Sequence, residues 1–163
     1  MKYLWAPWRM EYIRIAKQKG CFFCDTSNQD QDVKNYILYR SGKNFIIMNS
    51  YPYNPGHLMI APYRHTGNLG ELTDPELHDH FELVSFCIKV LKQAFNPDGF
   101  NTGMNLGRIA GAGVVDHVHT HIVPRWEGDT NFMLVIGETK VINQALAETY
   151  QKLKDILSQF GKD

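Results

Sequence analysis

Three histidines, His117, His119 and His121, alternate along one short apolar run of the sequence. Successive side chains of a β-strand point to opposite faces, so all three imidazoles are predicted to share one face, roughly 6.7 Å apart per step. An imidazole has an ordinary pKa of about 6.5, which suits it to nucleophilic attack, hydrogen bonding or metal binding near neutral pH. The run therefore predicts nucleophilic chemistry, a metal centre or a merely solvated strand face.

The metal alternative has a geometric weakness. Catalytic zinc commonly takes three protein ligands and keeps one position open. Ligand nitrogens must converge to about 2 Å from one ion, whereas positions i, i+2 and i+4 of a strand spread over roughly 13 Å. The spacing favours nucleophilic chemistry and leaves a three-histidine metalloenzyme as an alternative.

The residues around the histidine run point to phosphate. Upstream, the glycine-rich segment 107–113 lets backbone N–H groups approach a phosphate closely, and Arg108 and Arg125 are charged donors. Beside three histidines, this loop favours phosphoryl or nucleotidyl transfer, in which a neutral imidazole attacks phosphorus.

The composition limits the classes of function. The 163 residues carry 17 basic and 17 acidic side chains and are 44% hydrophobic, as expected of a single globular domain over 1–163 with no basic nucleic-acid surface. No apolar stretch approaches the roughly 20 residues that span a bilayer, and the first residues lack the apolar region of a signal peptide. We therefore expect a cytoplasmic protein that binds neither nucleic acid nor membrane.

The predicted elements indicate an α+β domain with a mainly antiparallel sheet of about five strands, a central helix and a C-terminal helix. Residues 1–32 are expected to be irregular, and a C-terminal helix is predicted over 139–160. Strands are predicted at 35–40, 44–49, 57–61, 100–106 and 117–123.

The central helix has the clearest signal. Thr73 and Glu76 form a capping box, and Asn96 begins the segment that ends the helix. His78 and His80 fall outside the apolar stripe and are predicted to be solvated. The stripe itself consists of Leu77, Phe81, Val84, Ile88, Leu91 and Phe95.

Cys21 and Cys24 are separated by two residues, a spacing that predicts half of a metal site or a redox pair. The total of three cysteines argues against a disulfide framework. Cys87 lies inside the predicted central helix and is expected to be a small buried side chain.

The histidine run resembles the signature of the histidine triad (HIT) superfamily. The resemblance extends to Asn49, the Pro-Gly-His57 strand start, Asn105 before the glycine-rich loop, and Pro-Tyr-Arg-His65. It covers most of the chain, from about residue 21 to residue 126.

This resemblance implies a two-step reaction on a nucleotide. His119 would attack the α-phosphate to give a nucleotidyl-histidine, and water, phosphate or another acceptor would then release the nucleotide. His121 would bond to phosphate or leaving-group oxygens, and His57 would orient the triad. The residues expected to hold the nucleotide are Asn49 at the ribose, Asn105 and the Gly113 backbone at phosphate, Ile46 and Ile47 at the base, and Arg125 and Trp126.

The resemblance also implies a metal site and a dimer. In some members the cysteine pair, a distant histidine and the first histidine of the triad bind zinc, and the corresponding residues here are Cys21, Cys24, His65 and His117. The alternative is a reduced buried cysteine pair. A structural zinc ion, no organic cofactor and a homodimer are therefore expected.

Two further segments indicate which branch of the family the chain resembles. Leu-Trp-Ala-Pro-Trp-Arg at the start, and Pro-Arg-Trp with the residues after it, resemble the diadenosine tetraphosphate phosphorylases and hydrolases. Cleavage of dinucleoside polyphosphates is therefore expected. The alternatives are a nucleoside phosphoramidase or adenylate hydrolase and a non-catalytic nucleotide-binding or zinc-dependent interaction module. Thr120 replaces an apolar residue of the usual signature, and Gly113 stands where many members carry Ser or Gln.

Overall fold

A five-stranded antiparallel sheet organises the chain, which a computed structural model describes over residues 20–129 and 144–161. The strands are β1 (Ile37–Arg40), β2 (Asn44–Met48), β3 (Leu58–Pro62), β4 (Gly99–Met104) and β5 (Thr120–Arg125). Their order across the sheet is β1-β2-β3-β5-β4, and every neighbouring pair is antiparallel. The predicted α+β class and the five-stranded sheet are confirmed.

The helices are α1 (Phe22–Ser27), α2 (Asp32–Asn35), α3 (Asp74–Phe95) and α4 (Leu146–Gln159), with a 3₁₀ turn at Leu69–Glu71. The capping box at Thr73 is present, and Asn96 ends α3 in a left-handed conformation with φ of 44°. The expectation of an irregular segment up to residue 32 is wrong where α1 forms, and residues 1–19 lie outside the described residues. The C-terminal helix begins at Leu146, and residues 139–143 of its predicted range are also outside them.

Strand β5 begins three residues later than predicted, so the expectation of three strand histidines is wrong. Pairing starts at Thr120, which lies opposite Ile60 of β3. Two residues further on, β3 ends at Pro62, and proline has no N–H for a ladder bond. The ring of His117 donates instead to the Pro62 carbonyl. Of the three histidines, only His121 belongs to the regular strand.

Helix α3 packs on β2, β3 and β5 with a face that overlaps the predicted apolar stripe but is shifted from it: Leu91 of the stripe is buried, and three further members pack partly buried against the same core. The buried positions are Glu76, His80, Leu83, Cys87, Val90, Leu91 and Ala94, a set rotated by about one residue. Phe81 is 54% exposed, whereas His80 is 0% exposed. The predicted solvated position is therefore correct for His78 and wrong for His80, because Asn44 and Thr120 supply buried hydrogen-bond partners.

The two faces of the sheet carry separate apolar clusters. Ile46 and Ile60 belong to the larger cluster beneath α3 and α4, together with Cys87, whose expected burial is confirmed. Ile47 and Phe23 belong to the cluster on the opposite face. Among the described helices, none combines the length and apolar character needed to cross a membrane.

Candidate active site and metal-ligand cluster

His119 lies just before β5, with its ring held by a backbone bond. Its Nδ1 lies 2.9 Å from the carbonyl oxygen of His117, which can only accept a hydrogen bond. The proton of the neutral ring is therefore on Nδ1, and Nε2 carries the lone pair. Burial lowers the pKa of His119. The ring is thus a neutral imidazole with its second nitrogen available for attack on an electrophile.

His57 and His121 form a second oriented pair beside it. The backbone N–H of Tyr53 donates to His57 Nδ1 over 3.1 Å, so the His57 proton lies on Nε2. That Nε2 donates to His121 Nδ1 over 2.9 Å, which leaves the His121 proton on Nε2. The rings of His119 and His121 are 4.8 Å apart. An acceptor nitrogen and a donor nitrogen are thus provided side by side, as in-line attack on a phosphate needs.

Three histidines, His57, His121 and His80, resist protonation. Burial, followed by the neighbouring rings of His121 and His119, lowers the pKa of His57 to about 3. Burial likewise lowers the pKa of His121 and of His80 to about 4. These imidazoles are therefore neutral throughout the physiological range.

These shifts predict a pH dependence of stability. An unfolded histidine has a pKa of about 6.5, so below that pH the unfolded chain binds protons that buried His57 and His80 do not. With the proton of His121 counted as well, we expect the free energy of unfolding to fall from pH 6.5 towards pH 4 by up to about 4 kcal/mol per pH unit for three protons. Urea denaturation at pH 7, 6 and 5 measures it. His78→Ala, at an exposed site on the same helix, is the control and keeps the slope; a constant or rising free energy contradicts the assignment.

A compact metal-ligand cluster lies on the other side of His117. One ligand atom from each of Cys21, Cys24, His65 and His117 lies within 4.8 Å of all the others. The sulfur–nitrogen distances are 3.3 Å from Cys21 to His117, 3.5 Å from Cys24 to His117 and 3.4 Å from Cys24 to His65. Tetrahedral zinc, with bonds near 2.3 Å to sulfur and 2.0–2.1 Å to nitrogen, holds these atoms about 3.5 Å apart. The cluster fits zinc.

The donor set fits a cation in chemistry as well as in distance. His117 Nε2 donates to the Pro62 carbonyl over 2.8 Å, so its Nδ1 lone pair faces the two sulfurs. Burial and the neighbouring Cys21 raise the pKa of the Cys24 thiol to about 11, so a bound cation is needed to hold it as a thiolate. Within the described part of the chain, this cluster contains one histidine of the run, His117. Because His119 and His121 are not among these ligands, the three-histidine metalloenzyme is disfavoured.

Sequence reasoning missed two residues that lie close in sequence to ligands of the cluster, Phe23 and Gly67. Phe23, between the two cysteines, is buried with its ring 4.7 Å from the ring of His119 and 5.1 Å from that of His117. Gly67 lets two loops meet, because a Cβ there would clash with the backbone oxygen of Val115. The two consecutive phenylalanines of Cys-Phe-Phe-Cys were the sequence signal for a buried aromatic beside the cysteines. No pattern in the neighbouring sequence distinguished Gly67.

The residues expected to contact the nucleotide lie on different elements and on both faces of the sheet. Asn49 follows β2, where its side chain accepts from the Tyr51 N–H over 2.8 Å, and Asn105 follows β4. Ile47 lies on the sheet face that carries Phe23, whereas Ile46 points into the core beneath α3. The two isoleucines therefore lie on opposite faces of the sheet and do not line one pocket. Ile47 shares the face of Phe23 but is itself 0% exposed.

Residues at the end of β5 and just after it form hydrogen bonds with one another. Arg125 donates to both oxygens of Asp129 at 2.6 and 2.9 Å and to Asn101 at 2.7 Å. Asp129 also accepts from Asn54 over 2.7 Å, so its carboxylate links the end of β5 to the segment before β3. The indole of Trp126 donates to the carbonyl at the end of α3 over 3.4 Å. These bonds fix the exit of β5. They use several of the five N–H donors of Arg125 and the single N–H donor of the Trp126 indole.

Comparison with known proteins agrees with this arrangement. A family model described as HIT domain matches residues 30–128. A protein named AP-4-A phosphorylase from Mycobacterium tuberculosis is 40% identical over 158 residues, which cover 92% of this chain and 81% of the relative. A bis(5'-adenosyl)-triphosphatase from Saccharomyces cerevisiae is 35% identical over 96 residues, 58% of this chain and 46% of that protein.

Solved structures share the fold. A histidine triad nucleotide-binding protein from Sulfolobus tokodaii has a TM-score of 0.67 at 30% identity, covering 85% of this chain and 90% of that one. A Zn-bound histidine triad family protein from Mycobacterium smegmatis has a TM-score of 0.69 at 23% identity, with 87% and 96% coverage. From its matched domain, its similarity to these relatives and its paired histidine geometry, the chain belongs to the histidine triad (HIT) family.

Proposed function

We propose that the protein cleaves dinucleoside polyphosphates, with diadenosine tetraphosphate as the favoured substrate, through a nucleotidyl-His119 intermediate. The observation that carries the proposal is the bond between His119 Nδ1 and the His117 carbonyl, which leaves Nε2 as the nucleophile. The similarity to a protein named AP-4-A phosphorylase over 92% of this chain supports the choice of substrate.

The first chemical step forms a phosphorus–nitrogen bond. His119 Nε2 attacks the α-phosphorus of diadenosine tetraphosphate, the bond to the bridging oxygen breaks, and ATP leaves. His121, held by His57, donates its Nε2 proton in a hydrogen bond to the oxygens on which charge develops. Because His57 is neutral, it orients this donor without placing a positive charge beside the nucleophile.

The second step releases the nucleotide, and we propose inorganic phosphate as the acceptor. Phosphate oxygen attacks the adenylyl phosphorus, the phosphorus–nitrogen bond breaks, and ADP forms; water in the same place would give AMP. The yeast relative, whose name describes hydrolysis, matches a smaller part of this chain, which supports phosphorolysis.

Product analysis tests the acceptor. With diadenosine tetraphosphate and phosphate we expect ATP and ADP in equal amounts, and without phosphate we expect turnover to fall at least about tenfold. Separation of the nucleotides by ion-exchange chromatography measures both. ATP with AMP at an unchanged rate in both conditions would make the protein a hydrolase, and no cleavage in either would refute the proposed function.

The proposed substrate contacts are those that the family resemblance implies. We propose the ribose at Asn49, the phosphates at Asn105 and the Gly113 backbone, and the base on the Phe23 side of the sheet, the face to which Ile47 belongs. Arg125 lies four positions after His121 on β5, roughly 13 Å along a strand. That distance supports a role for Arg125 and neighbouring Trp126 at the far nucleotide.

The metal-ligand cluster is proposed to hold a structural zinc ion. Cys21, Cys24, His65 and His117 would fill its four positions, and no position would remain for substrate. When bound, zinc supplies the charge that stabilises two thiolates and ties α1 to the segment before β5. His117 would then use its ring for the metal and its carbonyl to orient His119.

We also propose a homodimer in the cytoplasm. Within the described residues β4 pairs with β5 alone, so its outer edge is available to a second copy of the chain. A reducing compartment is supported by the cysteine ligands, because zinc requires them as reduced thiolates.

A further inference from the structure

Thr120 lies between His119 and His121 in the sequence and is held from the opposite side of the sheet by His80. Its Oγ1 lies 2.7 Å from His80 Nε2. Thr120 is 3% exposed, and both groups lie in the packed layer between β5 and α3. Neither side chain is part of the reaction described above.

The direction of each hydrogen bond in this layer can be assigned. Asn44 Nδ2 donates to Asp79 Oδ2 over 2.7 Å and to the Glu76 carbonyl over 3.1 Å. Its Oδ1 therefore faces His80 Nδ1 as an acceptor at 2.8 Å. With the His80 proton on Nδ1, Nε2 accepts from the Thr120 hydroxyl. The connected bonds run from the Asp79 carboxylate to the first residue of β5, with no buried polar side-chain atom left unpaired among those described.

The hydrogen bond between Thr120 and His80 lies directly beside His119 in the chain. Thr120 is the first β5 residue in the ladder, opposite Ile60 on one side and Met104 on the other. His119 immediately precedes it, outside regular pairing, so the backbone direction at Thr120 sets where the His119 ring leaves the sheet. An apolar side chain would fill a buried position without needing a polar partner, whereas a satisfied polar network specifies one geometry.

We propose that Thr120 and His80 are positioning residues for nucleotidyl transfer: their buried hydrogen bond fixes the start of β5 so that His119 Nε2 meets the α-phosphorus in line. The inference rests on the proposed function and adds residues that contact no substrate. In-line attack is sensitive to placement, and a displacement of about 1 Å lowers a rate by about 10²-fold. Loss of the bond is therefore expected to slow chemistry more than it weakens binding.

Single-turnover kinetics on the full-length, zinc-loaded chain test the proposal. With diadenosine tetraphosphate and no added phosphate, we expect Thr120→Val to slow formation of the nucleotidyl-His119 adduct at least about tenfold, with the substrate Kd unchanged within about twofold. Thr120→Ser keeps the hydroxyl and is expected to restore the wild-type rate within about threefold. Thr149→Val is the matched control, because it removes another buried hydroxyl, which lies in α4 and donates to the carbonyl of Ala145 just before that helix.

The outcomes separate this inference from the proposed function. If the wild-type chain forms no adduct, the proposed function fails. If the wild type forms it and Thr120→Val is equally fast, or Thr120→Ser is as slow as Thr120→Val, or Thr149→Val is slowed equally, the positioning role is refuted. Should Thr120→Val not fold, Thr120→Ala carries the same expectation without the added methyl group. Failure of both to fold would also overturn the proposal, in favour of a purely structural bond.

Discussion

Replacement of His119 by alanine is expected to lower kcat for diadenosine tetraphosphate at least about 10³-fold, because no other group takes over the covalent step. His121 cannot replace it, since its Nδ1 accepts from His57 and its Nε2 carries the proton. The Kd of a non-cleavable dinucleotide analogue is expected to change only a few-fold, because the phosphate and base contacts remain. Steady-state kinetics and calorimetric titration measure the two quantities.

Two controls make that experiment specific. His78→Ala removes an exposed histidine of α3 and is expected to leave kcat unchanged. Zinc content in the His119→Ala protein is expected to match wild type, because His119 lies outside the metal-ligand cluster. Full activity in the variant would refute the nucleophile, and loss of zinc with activity would revive the three-histidine metalloenzyme.

Replacement of Cys24 by serine is the second substitution with a large expected effect. Serine supplies a weak neutral oxygen where the cluster needs a thiolate, so we expect zinc content to fall from about one ion per chain towards zero. The free energy of unfolding is expected to fall by at least about 2 kcal/mol, because α1 and the segment before β5 lose their link. Metal analysis and chemical denaturation measure these changes.

The third cysteine provides the matched control. Cys87→Ala removes a buried thiol from the core beneath α3, far in sequence from the ligands, and is expected to leave zinc content unchanged. Retention of zinc by Cys24→Ser, or wild-type protein that binds none, would contradict the metal assignment. Removal of zinc from the wild-type protein with a chelator is expected to cause the same loss of stability as Cys24→Ser, since both remove the same ion.

Features with local causes could be predicted from the sequence. The capping box of Thr73 and Glu76 marked the start of α3 because both partners lie within one turn. The division between a metal-facing His117 and a nucleophilic His119 came from a family resemblance, and the geometry places His117 beside both sulfurs. The roles of individual nucleotide contacts stay predictions.

Features that depend on distant partners could not be predicted. The apolar pattern puts His80 on the solvated face, because polar residues outside the apolar stripe of an amphipathic helix normally face solvent. Its burial depends on Asn44 and Thr120, 36 and 40 residues away, whose orientation no local pattern reveals. The start of β5 likewise depends on where β3 ends, at Pro62, and the contact of Phe23 with His119 depends on the path of α1.

Trapping the covalent intermediate tests the central claim most directly. The chain is mixed with diadenosine tetraphosphate without phosphate, quenched under alkaline conditions that preserve phosphorus–nitrogen bonds, and digested for mass spectrometry. We expect one adenylyl group on the peptide that contains His119, attached at that residue and absent from His119→Ala. Turnover with no adduct, or with the adenylyl group on any other residue, would contradict the account.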